Sequence, residues 1–286
     1  MGITISPNNF YNHWETTNSL LALIARNTID LSVTSWQQVQ HIVRAGLHHQ
    51  VFQIGDQFVA TFNGQPVLWD VIGIDHDKPT DPRFTHSLTI QSHDILLTAQ
   101  FDAKEPDNPD SNRQQYGNNR YIHSAIRQWL NSAETTFTWQ SQHQYDVAPT
   151  EAPYDGAGFL KLLDPDLVAV LGAVDKQVAR STTDGGGQDL FSDKVFLLSR
   201  VEVYGPTDGE TGGEAPYPYY ESLAPSPTID PIDGRIKYLG ASARIWWLRS
   251  PNCANAINVR LVETCGSVLS DRAYYSRGVA PAVVIV

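Results

Sequence analysis

The sequence predicts an α+β fold in one continuous domain. Helical apolar stripes sit in the first half, and short β-branched runs dominate the end. The Gly-rich acidic stretches give way at once to strongly apolar segments on both sides, so they read as insertions rather than linkers. No repeat of fixed period is apparent.

Taken in order, residues 1–33 form an N-terminal extension with a helix expected around residues 14–29. Leu20, Leu21, Leu23 and Ile24 cluster on one side of it. A lone helix of that length is marginal in water, so it must pack on the body or on another subunit. A second helix starts at Thr34, where Thr34 and Gln37 read as a capping box. Trp36, Val39, Ile42 and Val43 form its stripe, and Gly46 ends it. Strands are expected at residues 51–54, 57–62 and 67–74, with Asn63-Gly64 as a hairpin turn between the last two. Residues 89–101 form another partly alternating run. Residues 121–131 read as a helix with Ile122, Ile126, Trp129 and Leu130 on one face. A third helix is expected from Asp164-Pro165, a cap followed by a first-turn proline, to about residue 171. Residues 195–198 read as a short buried strand between two acidic loops, 182–192 and 205–218.

Composition excludes several classes. The 286 residues suffice for one large core or two modest ones. A hydrophobic content of 41% argues against wholesale disorder. The net charge of −11 disfavours non-specific nucleic-acid binding and docking on anionic lipid, both of which need a basic face. No apolar run reaches the length of a membrane span. The first residues lack the basic and apolar regions of a conventional signal peptide, and Ile5-Ser6-Pro7 fits a myristoylation motif poorly. The two cysteines, Cys253 and Cys265, read as small free hydrophobes, although a disulfide across a hairpin would suit their spacing.

Candidate chemistry outside the C-terminal region is weak. Residues 107–112 offer oxygen ligands but lack the glycine and the bidentate acid of a calcium loop, so a solvated turn is expected. Asp75-His76-Asp77 could ligate a metal only if the backbone bent, because alternate strand residues face opposite ways. His48-His49 follow a helix end, where the macrodipole favours imidazolium, a structural role. Gly185-Gly186-Gly187 lacks the lysine and the helix of a phosphate loop. No nucleophile elbow, zinc-protease motif or isolated pair of buried acids is visible, so no catalytic residue, cofactor or metal is assigned.

The C-terminal 43 residues carry most information. They open on Trp246-Trp247-Leu248-Arg249-Ser250-Pro251 and close on an apolar run after Gly278. At least one tryptophan should be core, and both are expected to be structural. Arg249 reads as a buried anchor tying loop carbonyls together. Between these blocks lie Asn252, Asn255, Asn258, Arg260, Glu263, Asp271, Arg272, Tyr274, Tyr275 and Arg277. Flat aromatics and small polar groups on a rigid frame resemble a paratope, so these ten are the candidate ligand-binding residues.

WWLRSP at residues 246–251, followed by a variable stretch and G-V-x-P-A at 278–282, resembles a widespread bacterial and phage domain of unassigned function that usually ends G-V-R-P-A. WQQVQHIVRAG (36–46), FQIGD (52–56), WDVIGIDHD (69–77), IRQWLNS (126–132), KVFLLSRVEVYG (194–205) and GRIKYLGASARIWWLRSP (234–251) fit the same pattern, so the likeness spans residues 34–286. The resemblance implies a C-type-lectin-like fold of the branch shared with formylglycine-generating enzymes, preceded here by the N-terminal helical extension. In related proteins this fold displays the variable region of diversity-generating retroelements, often on phage adhesins, and residues 252–277 sit where that region would lie. The chain departs from the pattern at Ala280, which replaces the usual arginine, leaving that anchor missing or supplied by Arg277. The sugar-binding E-P-N and W-N-D motifs of true lectins are absent from the terminal region; Glu105-Pro106-Asp107 mimics half of one far upstream. The cysteine spacing does not match the redox pair of formylglycine-generating enzymes, so that activity is not carried over.

The expectation is therefore a non-enzymatic ligand-binding protein on a virion or cell surface, recognising a bacterial cell-surface protein or glycan receptor. It needs no nucleic acid or membrane insertion, and homo-oligomers would form through the extension. An unassembled copy would be cytoplasmic. A structural virion protein and an enzyme related to formylglycine-generating proteins are the alternatives.

Overall fold

A computed structural model describes residues 33–206, 214–223 and 233–286. The expected helix at residues 14–29 and part of the 205–218 loop lie outside these residues. The described chain is mixed α+β, mostly strands in several largely antiparallel sheets.

Helix α1 (Trp36–Arg44) is capped by Ser35, whose hydroxyl accepts the Gln38 N–H at 3.2 Å while the Gln38 side chain returns to the Ser35 N–H. The capping box thus lies one residue later than Thr34–Gln37, because Ser35 is the residue with extended backbone at the helix entry. After Gly46, at φ +69°, comes α2 (His48–Val51), where a strand was expected at 51–54. Val51 completes a helical turn, and Phe52 drops its ring into the core instead of pairing.

Strands β1 (Gln57–Phe62) and β2 (Gln65–Ile74) form the expected hairpin, with Asn63 and Gly64 at φ 48° and 73°. Two positive φ values are what a two-residue type I′ turn requires. The run at 89–101 divides into β3 (Leu88–Ser92) and β4 (Leu97–Gln100), which join different sheets. Next come α3 (Ser111–Tyr116) and α4 (Ala125–Leu130). Residues 121–123 form a separate 3-10 turn, because Ser124 is extended and its hydroxyl caps α4 by accepting the Arg127 N–H. Short helices α5 (Phe159–Leu162) and α6 (Pro165–Val168) follow, the latter capped by Asp164 as expected but ending sooner.

Strands β5 (Val174–Ala179) and β6 (Gln188–Asp193) form a hairpin through Gly185–Gly187. Residues 188–193 are therefore strand rather than loop: Leu190 and Phe191 pair with Gln177 and Lys176. Beyond β7 (Val195–Phe196) lie α7 (Arg200–Tyr204) and α8 (Pro218–Glu221), then the hairpin β8 (Lys237–Leu239) and β9 (Ser242–Arg244). The chain ends in β10 (Trp246–Pro251), β11 (Asn258–Val262), β12 (Val268–Arg272), β13 (Ser276–Val279) and β14 (Ala282–Ile285).

One sheet has the order β1-β2-β3-β14-β7 and the other β12-β11-β10-β13-β4, in which only β10 and β13 run parallel. Both sheets feed one main core: Phe58, Trp69 and Ile90 from the first, Trp247, Leu261 and Val279 from the second. A smaller core forms around Trp246, Leu248, Phe196, Tyr217 and Val284. Adjacent residues Trp246 and Trp247 are both fully buried but face opposite ways, one into each core.

The closing motif has a steric origin. A Cβ on Gly278 would lie 2.8 Å from the Ile245 carbonyl oxygen and 2.6 Å from Ile95 Cδ1. Its own N–H donates to that same carbonyl at 2.9 Å, so no larger residue fits. Ala280 is fully buried, and its carbonyl accepts the Gln91 side-chain amide. Arg277 points elsewhere, to Asp271, and supplies no substitute anchor.

Candidate functional site

Five of the ten expected residues meet on one surface. Arg272 ends β12 and lies over the Tyr116 ring, 3.9 Å from its centroid, with Nη1 donating to the Tyr275 hydroxyl at 3.1 Å. The Tyr274 and Tyr275 rings are 4.3 Å apart. Arg277 donates through Nε to Asp271 at 3.0 Å and lies against the Tyr275 ring. The Tyr274 and Tyr275 phenols are hydrogen-bonded, which pushes Tyr274 up and, together with Arg272, draws Tyr275 down. All five are half-exposed.

Two contributors come from far upstream. Lys104 sits 4.4 Å from the Tyr274 ring centroid, and Tyr116, the last residue of α3, accepts the Tyr274 N–H with its carbonyl. Three cations, Lys104, Arg272 and Arg277, thus gather around stacked tyrosines with one carboxylate, on a chain of net charge −11. Nothing in local sequence ties residues 104 and 116 to the terminal segment; the pairing of β13 with β4 and backbone bonds from Phe101, Asp102 and Tyr274 bring them there.

The other five serve differently. Asn255 Oδ1 accepts the N–H groups of Ile257 and Asn258 at 3.1 and 2.8 Å, and Asn252 Oδ1 accepts that of Ala254. These are turn-forming bonds. Asn119 reinforces the same turn by donating to the carbonyls of Asn255 and Asn258. Asn258 stands opposite Arg272, and Arg260 opposite Ser270, so both share the β11–β12 face that leads to the tyrosines. Glu263 lies in the turn beyond the other end of β11, accepting from the Ser267 hydroxyl, and is not brought to the patch.

Elsewhere in the interior is a buried ionic network of which the sequence announced only Arg249. Arg249 is fully buried, with Nη1 2.6 Å from Glu202 Oε2 and 2.7 Å from the Leu197 carbonyl. Its other nitrogens donate to the Gln177 carbonyl and pair with Glu214, the anchoring role expected. Lys176 joins Glu202 to Asp77, and the Tyr217 hydroxyl donates to Asp77 at 2.8 Å. Burial pushes the Glu202 carboxyl up, but Arg249 and Lys176 hold it down at about 2. An open hollow of about 560 Å³ lined by Lys176, Phe191 and Glu214 adjoins this network.

Among the described residues two clusters could hold a metal ion. In the first, Asp75 sits just past β2 at φ 51°, which turns it from the path of His76 and Asp77. The three neighbours do not converge: Asp77 enters the buried network and His76 stacks on Tyr217. Asp75 instead faces His48 and His49, each with Nε2 at 2.8 Å, and His86. Its carboxyl is held at about 2: burial raises it, and the Ser87 N–H and the three imidazoles outweigh that. His48 is fully buried, and burial lowers its pKa, so the imidazolium expected at a helix end is disfavoured here. The second cluster is Asp102, Glu105 and His143, beside the tyrosine surface. Asp102 is pushed well above its ordinary value, first by burial and then by the Asp146 charge.

Residues 107–112 form the expected polar turn, with the Asn108 side chain accepting the Asp110 N–H and Asp110 capping α3. Cys253 and Cys265 are half-buried and not disulfide-bonded. Among the described residues no helix is long and apolar enough to cross a membrane.

No curated protein and no solved structure matches the chain. A family model does, from Leu88, the first residue of β3, to Val286, leaving β1 and β2 outside the match although they pair into the same sheet. Since that match covers well over half of its length, the chain belongs to the DUF6273 family, a domain of unknown function.

Proposed function

We propose that the chain is a non-enzymatic ligand-binding protein whose C-terminal face recognises a bacterial cell-surface protein or glycan. The observation that carries this reading is the half-exposed cluster of Arg272, Tyr274, Tyr275 and Arg277 with Tyr116 and Lys104. Rigid aromatic faces beside guanidinium groups give contact area at low entropic cost and carry much of the energy at recognition surfaces. The supporting strands are dry: Val259, Leu261 and Val279 beneath the patch are fully or almost fully buried. Change at the outward positions would leave that frame intact.

The architecture we favour is the C-type-lectin-like fold of the formylglycine-generating branch, with residues 252–277 as a retroelement-diversified segment on a phage or prophage adhesin. The extension at residues 1–33 would mount it on the virion or join copies to one another. The buried acid and bases Glu202, Lys176 and Arg249 are paired through Glu202, which supports a structural role for them and recognition over catalysis.

Fluorescently labelled protein applied to a panel of bacterial strains tests the reading by flow cytometry. We expect strain-selective binding that the combined Arg272→Ala, Tyr274→Ala, Tyr275→Ala variant loses without a change in its circular-dichroism melt. Absence of binding to any strain, or equal binding by the variant, would overturn it. Sequencing sibling copies of the encoding locus tests diversification. Substitutions should crowd the adenine-bearing codons for positions 258, 260, 272, 274 and 275 and spare Asn255 and Ala273; an even spread refutes it.

A further inference from the structure

The loops that follow β4 and precede residue 147 close around carboxylates that no lysine or arginine among the described residues pairs with. Asp102 and Glu105 are each 1% exposed, and the Asp146 side chain is equally hidden. Asp102 Oδ1 accepts the Ala125 N–H at 3.2 Å, but its Oδ2 has no partner. Glu105 is held by the side-chain amides of Asn108 and Asn118, and Asp146 Oδ2 by the Gln142 N–H. These are neutral donors; they orient the acids without cancelling their charge.

His143 decides what the cluster is for. Its Nδ1 lies 2.8 Å from the Gln144 carbonyl oxygen, which can only accept, so Nδ1 carries the proton. Nε2 is buried, makes no hydrogen bond, and lies 3.5 Å from Glu105 Oε1 and 3.8 Å from Asp146 Oδ1. A charge-assisted bond from an imidazolium would be about 2.7–2.9 Å long, so a simple ion pair does not explain the spacing. Ligand atoms about 2.0–2.2 Å from a tetrahedral ion lie about 3.3–3.6 Å from each other. A backbone carbonyl on the far ring nitrogen is also the usual support of a metal-bound histidine.

The cluster around Asp75 is different. There the Asp75 carboxylate accepts from His49, His86 and the Ser87 N–H, donors enough to orient it without an ion, while His48 lies 2.8 Å away and makes no hydrogen bond. The Asp102 cluster has acceptors facing acceptors.

We propose that Asp102, Glu105 and His143, with Asp146 beside them, form a binding site for a divalent transition-metal ion, with Zn²⁺ the closest chemical match. Calcium and magnesium favour all-oxygen shells, whereas an imidazole among carboxylates suits zinc. The ion would fasten residues 102–118 to the loop at 143–147. That same stretch carries Lys104 and Tyr116 to the C-terminal surface, while Phe101 and Asp102 donate their N–H groups to the Ala273 carbonyl.

The test is calorimetric titration of Zn²⁺ into the full chain after chelator treatment, with melting followed in parallel. Wild type should bind an ion and melt higher. Asp102→Asn and His143→Ala should each weaken binding by about tenfold or more, while His86→Ala leaves it unchanged. Asp102→Asn removes a buried charge and so keeps a folded reference should His143→Ala fail to fold. X-ray absorption of the loaded protein should show one imidazole in a mostly oxygen shell. Absence of binding, or binding unaffected by Asp102→Asn, overturns the proposal. Loss of binding in His86→Ala, or two or more imidazoles in the shell, assigns the ion to the Asp75 cluster and overturns it equally.

Discussion

Arg249 Nη1 lies 2.6 Å from Glu202 Oε2, and neither side chain is exposed. The same guanidinium reaches two backbone carbonyls, Leu197 and Gln177, so it ties β10 to the strands and helix behind it. Arg249→Ala would leave Glu202 with Lys176 as its remaining cation and two carbonyls without their donor in the interior, and should destabilise by about 3–5 kcal/mol, measured by urea denaturation. Arg249→Lys keeps the charge but not the planar fork, and should recover only part of that loss.

The pH dependence of this pair follows from the Glu202 carboxyl, held at about 2 against an ordinary value of 4.5. A carboxyl lowered on folding stabilises fully above its unfolded value and loses that contribution as pH falls through its folded value. Unfolding free energy should therefore drop between about pH 4.5 and pH 2. Glu202→Gln should flatten that part of the profile while lowering stability at neutral pH.

Asp102 has the opposite sign. Its folded carboxyl is raised by burial and by neighbouring Asp146. The folded chain holds this proton more tightly than the unfolded one, so metal-free stability falls as pH rises above the ordinary carboxylate range. Asp102→Asn should make the metal-free protein more stable at neutral pH and remove this slope, as read from melts across pH 4–8.

Gly278→Ala places a methyl group against the Ile245 carbonyl. Only movement of β10 or β13 could relieve the clash, so a loss of about 1–3 kcal/mol is expected from equilibrium denaturation. Gly64→Ala, in open space but at φ 73°, should cost only about 1 kcal/mol.

Asn255→Ala removes the acceptor for two backbone N–H groups and should lower stability by about 1–2 kcal/mol. Tyr275→Ala, at the surface, should stay within about 0.5 kcal/mol of wild type. Equal effects from the two substitutions would show that the turn does not depend on Asn255.

Much of the fold was legible where a local rule decides it. Asn63-Gly64 admits one hairpin geometry, and Asp164-Pro165 one helix entry. Two adjacent tryptophans on a strand must face opposite ways. Shifts arose where two residues could play one part, as Thr34 and Ser35 both could at the first cap, or where a turn hid inside a helical pattern, as at Ser124. The candidate surface was half legible. Arg272, Tyr274 and Tyr275 stood out by chemistry, while Tyr116 and Lys104 reach them through the β4–β13 register and the backbone bonds beside it, which no local sequence signal shows. The buried charges were illegible because single acids far apart in sequence, Asp77, Glu202 and Asp102, carry no local sign of what will face them.

Strand β10 sends Trp246 into one core and Trp247 into the other, and β14 does the same with Val284 and Val283. The two cores thus take alternate apolar side chains of the same two strands, and neither can lose its packing while those strands stay in place. The two apolar clusters should melt as one cooperative unit: one calorimetric peak, with near-ultraviolet tryptophan signal and far-ultraviolet backbone signal lost at the same temperature.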